Sequence, residues 1–232
     1  MDEIGQKHDE FYFWTAADSP AAGWDLAAKA LIIGLDAASP LLLQRWTADG
    51  SLPTLAALRT AGVSGQIKTP PGVADDAVWA SFYTGMPLGH HGRYFWEQLS
   101  PDARRVVHAG GRLPEAPPIW TTLSTAGKRV AVLDVPKVPV AHALNGIQLC
   151  DWLVHGRDYP EPRSFPEDFA ASIIAEFGSA PLSICSETIP PMSDAETATT
   201  VENLLHSAAM KQQCATKLLS SDAWDLFVVS FK

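Results

Sequence analysis

The stretch Ala30-Leu31-Ile32-Ile33-Gly34-Leu35-Asp36 decides the fold of this chain. Its first six residues form the continuous apolar run that is typical of a parallel strand buried on both faces. Ligands of α/β sheets bind where such strands end at their carboxyl side. Asp36 therefore stands where a metal or substrate site would be built.

Runs of the same kind recur along the chain and alternate with helical segments. Further strands are predicted at 63–67, 129–134, 146–150 and 224–231, and helices at 41–46, 54–60, from 75 onward, 118–123, 169–177 and 194–219. This β-α-β rhythm predicts a doubly wound α/β sandwich, with a largely parallel sheet and helices on both faces. Residues 94–113 are expected to form a surface excursion or a hairpin over the site.

Two Ser-x-x-Glu motifs predict helix starts. Ser164 and Glu167 precede one helix, and Ser193 and Glu196 precede the long proline-free helix near the end of the sequence. In such a capping box the serine side chain accepts a hydrogen bond from the glutamate's backbone amide, and the glutamate side chain accepts one from the serine's. Gly178 is predicted to end the first of the two helices.

By its pattern the chain divides into residues 1–28, interpreted as an N-terminal extension, and residues 29–232, interpreted as a partial alkaline-phosphatase-like α/β domain. Residues 227–231 form a strand-like run at the end of the sequence. We expect the domain to be truncated there, which would leave a sheet edge and an apolar face uncovered. Self-association through that edge is the expected consequence.

Composition and charge restrict the classes of partner. The 232 residues are 47% hydrophobic, which is ample for a packed core, and they carry a formal net charge of −9. This charge argues against a nucleic-acid polymer or an anionic membrane as partner, because such phosphate-rich surfaces bind clustered lysine and arginine. Small anionic substrates remain compatible with it, since a bound cation can reverse the local field.

The sequence carries no sign of secretion or membrane anchoring. Cys150, Cys185 and Cys214 are odd in number and far apart, which favours reduced thiols in a cytoplasmic setting. The first residues are polar, and no apolar run reaches the roughly 18 residues that a membrane span needs.

Acidic residues are the best candidates for chemistry. Asp36 is a hard oxygen donor suited to a divalent cation, and Asp75 and Asp76 stand at a helix start, where the macrodipole favours negative charge. Each has an ordinary alternative, because aspartate is a common helix cap and Asp36 could cap the turn that follows it. Asp134 ends a second buried strand, where either a substrate contact or a structural role is open to it.

A set of motifs in a fixed order resembles a known family. The motifs are Gly34-Leu35-Asp36-Ala37, Pro70-Pro71, Trp79-Ala80-Ser81-Phe82-Tyr83-Thr84-Gly85, Pro87 and His91-Gly92. Their order and spacing are similar to the N-terminal half of the type I phosphodiesterase and nucleotide pyrophosphatase family, which belongs to the alkaline phosphatase superfamily. The resemblance runs from about Lys29 to the end of the chain and implies the α/β fold of that superfamily.

The resemblance also implies a metal site. In the family, the aspartate at the Asp36 position binds zinc or a similar ion such as manganese, and a threonine or serine four residues before the tryptophan is both metal ligand and nucleophile. Counting back from Trp79, that position holds Asp75. A carboxylate would ligate the metal firmly and would form a mixed anhydride if it attacked phosphorus. Asp36 and Asp75 are thus the predicted metal ligands, and Asp75 occupies the catalytic position with altered chemistry.

Other polar residues have weaker claims to a site. Asp151 and His155 copy the spacing of a zinc-ligand pair of the superfamily, but they follow a different strand, and surface hydrogen bonding is the simpler interpretation. Arg93 and Lys137 could bind an anionic substrate. The simpler interpretation is that both are solvated surface charges without a role in binding.

Taken together, the resemblance implies a zinc- or manganese-dependent hydrolase of phosphate esters or diesters that acts on a small phosphorylated substrate. In the family, further metal ligands follow the last strand seen here, so we expect an incomplete two-ion site and an inactive 232-residue chain. The alternative is a non-catalytic ligand- or partner-binding domain that retains the fold, with Asp75 replacing the nucleophile.

Overall fold

A computed structural model describes residues 10–16, 29–36, 38–69, 75–95, 97–100, 104–108, 116–153, 161–180 and 192–231. The chain divides into two units, one made of residues 1–26 and 37–73 and the other of residues 27–36 and 74–232. Asp36 and Asp75 both belong to the second unit.

The described part of the first unit contains β1 (Glu10–Ala16), α1 (Pro40–Ala48), α2 (Pro53–Ala61) and β3 (Gly62–Lys68). Both helices begin with proline, whose fixed φ suits the first helical position and whose missing N–H costs nothing there. β1 pairs antiparallel with β3, from Glu10 opposite Lys68 to Ala16 opposite Gly62. β1 is a strand that the sequence patterns did not predict, and it lies in the region interpreted as an extension.

The second unit carries the main sheet and its helices. In chain order its described elements are β2 (Ala30–Leu35), α3 (Asp75–Thr84), α4 (Leu88–His91), β4 (Glu97–Leu99), β5 (Val106–His108), α5 (Ile119–Thr125), β6 (Val130–Leu133), β7 (Gly146–Cys150), β8 (Arg163–Phe165), α6 (Phe169–Phe177), α7 (Asp194–Ser221) and β9 (Leu226–Phe231). β4 and β5 form the expected hairpin, with Glu97 opposite His108.

The main sheet has five strands in the order β2-β9-β6-β7-β8. β2, β9, β6 and β7 are parallel, and β8 runs antiparallel to β7. The continuous apolar runs of β6 and β9 are buried along almost their whole length, as expected for strands covered on both faces. The predicted doubly wound, largely parallel sheet is therefore confirmed.

Helices cover both faces of this sheet. One buried cluster joins alternate strand residues to α3 and α5: Val130, Val132, Val228, Trp79, Tyr83 and Trp120. A second buried cluster joins the intervening strand residues to α6 and α7: Ala131, Leu133, Val229, Ile173, Cys214 and Ala215. The two clusters use opposite sides of the same strands, because successive side chains of a strand point to opposite faces.

The last strand of the sequence lies inside the sheet, where the sequence analysis expected an uncovered edge. β9 pairs with β2 on one side and with β6 on the other, so both of its edges are used. β2 is a terminal strand of this sheet instead, and its Leu31 and Ile33 are 51% and 53% exposed. Strand order depends on long-range pairing, which the position of a run in the sequence does not reveal.

The two predicted capping boxes have different outcomes. At the start of α7 the box is complete, since Ser193 Oγ accepts from the Glu196 amide and Glu196 Oε2 accepts from the Ser193 amide at 2.8 Å. The box at Ser164 is wrong, because Ser164 lies in β8 and the N-cap of α6 is Asp168. Ser164 Oγ still accepts from the Ala170 amide at 2.8 Å, so the serine supports the helix start from outside it.

The described helices include none with the combination of length and apolarity that crossing a bilayer would require.

Candidate active site

Asp36 follows β2 directly, at the carboxyl edge of the sheet. Its backbone N–H donates to the Phe231 carbonyl at 2.8 Å, which extends the pairing of β2 with β9 by one bond. The residue is half-buried. The structure thus places this carboxylate at the strand end predicted from the sequence, next to the end of β9.

Gly34 lets α3 approach the end of β2 closely. A Cβ atom added to Gly34 would lie 3.2 Å from Ser230 Oγ and 3.4 Å from Trp79 Cη2. Trp79 is in the second turn of α3, and Asp75 is the first residue of that helix. The backbone position of Asp75 agrees with the predicted helix start, while its side chain lies outside the described part of the structure.

Ser230 presents a buried hydroxyl at this same place. The residue is 1% exposed and faces the α3 side of β9, beside Gly34. Among the described residues, its Oγ atom has no hydrogen-bond partner. A buried hydroxyl without a partner is unusual in native proteins and needs a specific explanation.

At the end of β6 the polar groups are arranged differently. Asp134 and Lys211 form an ion pair of 3.0 Å between Oδ2 and Nζ, and their side chains are 1% and 3% exposed. The two Asp134 carboxylate oxygens accept from the backbone amides of Trp152 and Leu153, each at 2.8 Å. Lys211 Nζ also donates to the Ser230 carbonyl at 2.8 Å and to the Leu153 carbonyl at 3.3 Å.

These contacts decide between the two roles that the sequence left open for Asp134, a substrate contact and a structural role. The three N–H bonds of the Lys211 ammonium are used by the carboxylate and the two carbonyls, and both Asp134 oxygens are used by amides and by Lys211. Lys211 has no N–H left to donate to a ligand, and both Asp134 oxygens are engaged in contacts inside the core. Asp134 therefore has the structural role of the two that the sequence left open.

Lys211 was missed by the sequence analysis, although the pattern contained a signal. It lies three residues after Ala208 and four before Ala215, which places it on the apolar stripe of α7. A lysine on the buried face of a helix needs a carboxylate or carbonyl partner inside the core. Asp134, at the end of a buried strand, was the acidic residue best placed to supply it.

Ser81 and His91 form a pair that superficially looks like a nucleophile and its base. Ser81 Oγ lies 2.9 Å from His91 Nε2, and His91 Nδ1 accepts from the Arg93 backbone amide at 3.1 Å. Because Nδ1 is an acceptor, the neutral ring carries its proton on Nε2 and donates it to Ser81. His91 therefore has no lone pair directed at the hydroxyl and does not activate Ser81.

The environment of His91 agrees with this neutral form. Burial, and to a smaller degree the positive charge of Arg93, lower the pKa of His91 below its ordinary value. Arg93 is itself 4% exposed, and its Nη1 donates to the Lys137 carbonyl at 2.6 Å. Tyr83 Oη donates to the same carbonyl at 3.2 Å. Arg93 thus holds the turn after β6 in place and is not the solvated surface charge considered above.

Asp151 follows β7 in a left-handed conformation, with φ of 62°. Its Oδ2 lies 3.6 Å from Arg163 Nη2 on β8, so the side chain is engaged in an ion pair. His155, the other half of the predicted spacing, lies outside the described residues.

The described thiols are unsuited to nucleophilic chemistry. Cys150 and Cys214 are both free and buried. Burial raises the pKa of Cys214 to about 12, and burial together with the nearby Asp151 and Asp134 raises the pKa of Cys150. Both are therefore protonated thiols at neutral pH, and the nucleophilic form of cysteine is the thiolate.

Within the ranges that the structure describes, no three histidine, cysteine, aspartate or glutamate residues are grouped so that they could hold a metal ion. A surface depression of about 350 Å³ is lined by Pro117, Thr121, Thr122, Thr125 and Ala126. None of these described lining residues is ionisable, and none belongs to the sites described above.

Comparisons with known proteins add a family and a fold. The family model described as type I phosphodiesterase / nucleotide pyrophosphatase matches residues 30–232. Phosphonoacetate hydrolase from Sinorhizobium meliloti 1021 in complex with phosphonoformate is similar in structure, with a TM-score of 0.53 and 17% identity over 88% of this chain and 46% of that chain. Its complex with phosphonoacetate gives a TM-score of 0.54 and 16% identity over the same shares.

This chain spans less than half the length of those hydrolase chains. At this level of identity the likeness shows a shared fold. No curated protein matches the chain significantly.

Proposed function

This chain belongs to the type I phosphodiesterase and nucleotide pyrophosphatase family, and we propose that it acts as a metal-dependent hydrolase of phosphate esters or diesters. The observation that carries the proposal is the family match over residues 30–232. The resemblance predicted from the sequence motifs is thereby confirmed, as is the alkaline-phosphatase-like α/β fold.

We place the chemistry at the ends of β2 and β9, beside the start of α3. Asp36 stands at this edge, and the contact of Gly34 with Trp79 supports a position for the first turn of α3 near the same strand end. Parallel α/β sheets bind their ligands at such carboxyl ends. Asp75, as the first residue of α3, is proposed to join Asp36 there.

The superfamily generally depends on metals, and we propose Asp36 and Asp75 as ligands of a divalent ion, zinc in preference to manganese. Aspartate oxygen suits either ion. The donors among the described residues are too few to complete a site by themselves. We therefore assign no reaction step to a metal.

A small phosphorylated molecule is the proposed substrate class. The net charge of −9 disfavours a polyanionic partner, because it would repel one over a large surface. The structural likeness to phosphonoacetate hydrolase supports including a phosphonate among the candidates.

The test is turnover by the purified chain of bis(p-nitrophenyl) phosphate, p-nitrophenyl phosphate and phosphonoacetate, with zinc or manganese added and after treatment with a chelator. The sequence analysis expected this chain to be inactive, so turnover would also show that expectation to be wrong. We expect the chelator to abolish turnover and Asp36→Asn to lower kcat/KM by about 100-fold or more, since a metal ligand would be lost. The matched control is Asp168→Asn, which changes an exposed aspartate whose side chain makes no cap bond to α6. It should keep wild-type turnover.

The alternative function has its own signature in the same measurements. In that case wild type binds metal or a substrate analogue, Asp36→Asn loses this binding, and no substrate is turned over. This result would show a non-catalytic binding domain and not a hydrolase. Turnover that survives both the chelator and Asp36→Asn would contradict the proposed site.

A further inference from the structure

β6 ends earlier than its neighbour in the sheet. β9 continues its pairing with β2 as far as Leu35 opposite Phe231, but its pairing with β6 stops at Leu133 opposite Val229. Successive backbone carbonyls of a strand point to opposite sides, so the carbonyls of the last two β9 residues face different neighbours. The Phe231 carbonyl meets the Asp36 amide, and the Ser230 carbonyl faces the place that β6 has left.

Lys211 takes the position of the missing strand partner on this side. Its Nζ atom donates to the Ser230 carbonyl at 2.8 Å, and it lies 5.9 Å from the centre of the Phe231 ring. A buried carbonyl left without a donor would be costly. The ammonium group of α7 therefore completes the hydrogen bonding of β9 beyond the end of β6.

Asp134 completes the hydrogen bonding at the end of β7, the neighbour of β6 on its other side. It is the first residue after β6, with φ of 52°, and its carboxylate accepts from the amides of Trp152 and Leu153 just beyond the end of β7. The ion pair joins these two half-sites at 3.0 Å. Asp134 and Lys211 thus bridge the ends of β7 and β9 across the space between them.

A net gain in folding free energy does not by itself explain why the protein has a buried ion pair here. Removing two charges from water costs so much that well-packed apolar replacements are often neutral or stabilising. An apolar pair would, however, leave the Ser230 carbonyl and the two amides without partners. What the ion pair supplies is a fixed separation and orientation of two strand ends.

We propose that Asp134 and Lys211 are positioning residues for the site at the ends of β2 and β9. The pair holds the end of β9, and through the bond between the Phe231 carbonyl and the Asp36 amide it holds Asp36. The catalytic consequence rests on the proposed function, whereas the effect on the backbone at Asp36 does not. Two separate measurements can therefore distinguish a failure of one from a failure of the other.

The experiment compares Lys211→Met, the double variant Asp134→Asn/Lys211→Met, and the control Lys217→Met. Lys217 lies on the same helix and pairs with Glu176, but its side chain is 56% exposed. Lys211→Met leaves the Asp134 charge buried without its partner, so we expect a Tm lower by roughly 10 °C. The double variant removes that charge and should recover more than half of the loss, while the control should stay within about 2 °C of wild type.

Amide hydrogen exchange measures the positioning itself. In the double variant, which keeps a folded core, we expect the Asp36 amide to exchange about tenfold faster than in wild type, with no matching change at Val132 in the middle of β6. Asp36 is bonded to neither substituted residue, so a purely local role of the pair would not change its exchange. Wild-type exchange at Asp36 in both Lys211 variants would overturn the proposal.

Turnover provides the second measurement. If the chain hydrolyses a phosphodiester, the double variant should keep its KM within about threefold and lose about 10- to 100-fold in kcat, because a small misplacement of reacting groups is costly. Recovery of both stability and kcat in the double variant would overturn the positioning role. If wild type shows no turnover, the proposed function fails, and the exchange at Asp36 alone decides between a positioning and a local role.

Discussion

The ends of β6 and β2, which lie on either side of β9, differ in how their polar groups are partnered. Beyond β6, the charged pair Asp134 and Lys211 is almost fully buried and every hydrogen-bonding group of the pair is used. Beside the end of β2, a glycine makes room for α3, and the Ser230 hydroxyl is buried without a partner among the described residues. The contacts of the pair are all to the protein itself, which suits it to hold the backbone. The proposed ligand site at this edge is therefore on the side of β2, β9 and α3.

The largest effect of single substitutions at the β2 end is expected for Gly34→Val. In an ordinary strand, valine in place of glycine is favourable by about 0.5–1 kcal/mol, because it restricts the unfolded chain and fits the pleated surface. Here the new side chain would meet Ser230 Oγ and the Trp79 ring at 3.2 and 3.4 Å. We expect a destabilisation of about 1–3 kcal/mol, the usual cost of overpacking a closed core. Urea denaturation measures it.

Gly65→Val is the control for that substitution. Gly65 lies in β3, and among the described atoms beyond its own chain neighbours a Cβ there would meet none within 4 Å. The control should be neutral or stabilising, so the two variants differ in sign. A stabilising effect of both would show that α3 does not approach β2 as closely as the structure indicates.

Most of the fold could be predicted because it follows from local patterns. The apolar runs gave the strands, and helical spacing gave the helices, since both periodicities are read from the chain itself. The Ser193 capping box was confirmed for the same reason. At Ser164 the same motif failed, because the N-cap of α6 lies four residues later, at Asp168, and Ser164 pairs with β7 as part of β8.

The candidate site was less predictable than the fold. Asp36 could be proposed because a strand end identifies it, whereas the partnership of Lys211 with Asp134 joins residues far apart in sequence. Their contact depends on which strand lies next to β9 and on which side α7 packs. The position of β9 inside the sheet was missed for that same reason, since pairing order is a property of the tertiary structure.

Protonation of His91 is expected to have an effect of intermediate size on the free energy of unfolding. His91 is a third polar site, and its ring nitrogens are already hydrogen-bonded. Its pKa is lowered in the folded protein, so below the ordinary histidine value of 6.5 the unfolded chain binds more protons than the native one. Stability is therefore complete above pH 6.5 and falls as the pH decreases toward the folded pKa. The loss should be about 1 kcal/mol, the net value of the bond from the Arg93 amide that protonation removes.

Denaturation in urea at pH 8 and pH 5 measures this dependence. His91→Asn should be less stable at pH 8 and show a smaller difference between the two pH values, because its side chain does not titrate. His90→Asn is the control, since His90 is the neighbouring residue and is exposed. An unchanged pH difference in His91→Asn would mean that His91 is not held neutral by its surroundings.

The smallest effect is expected for Ser230→Ala, a substitution that bears directly on the contrast between the ends of β6 and β2. The hydroxyl of Ser230 is 1% exposed and has no partner in the described part of the chain, so its removal breaks no hydrogen bond there. We expect stability to change by less than about 0.5 kcal/mol. Ser164→Ala is the matched substitution, because Ser164 Oγ bonds the Ala170 amide and the Pro166 carbonyl. It should cost about 1 kcal/mol. Equal costs for the two serines in urea denaturation would mean that the Ser230 hydroxyl has a structural partner, and the contrast between the two strand ends would then disappear.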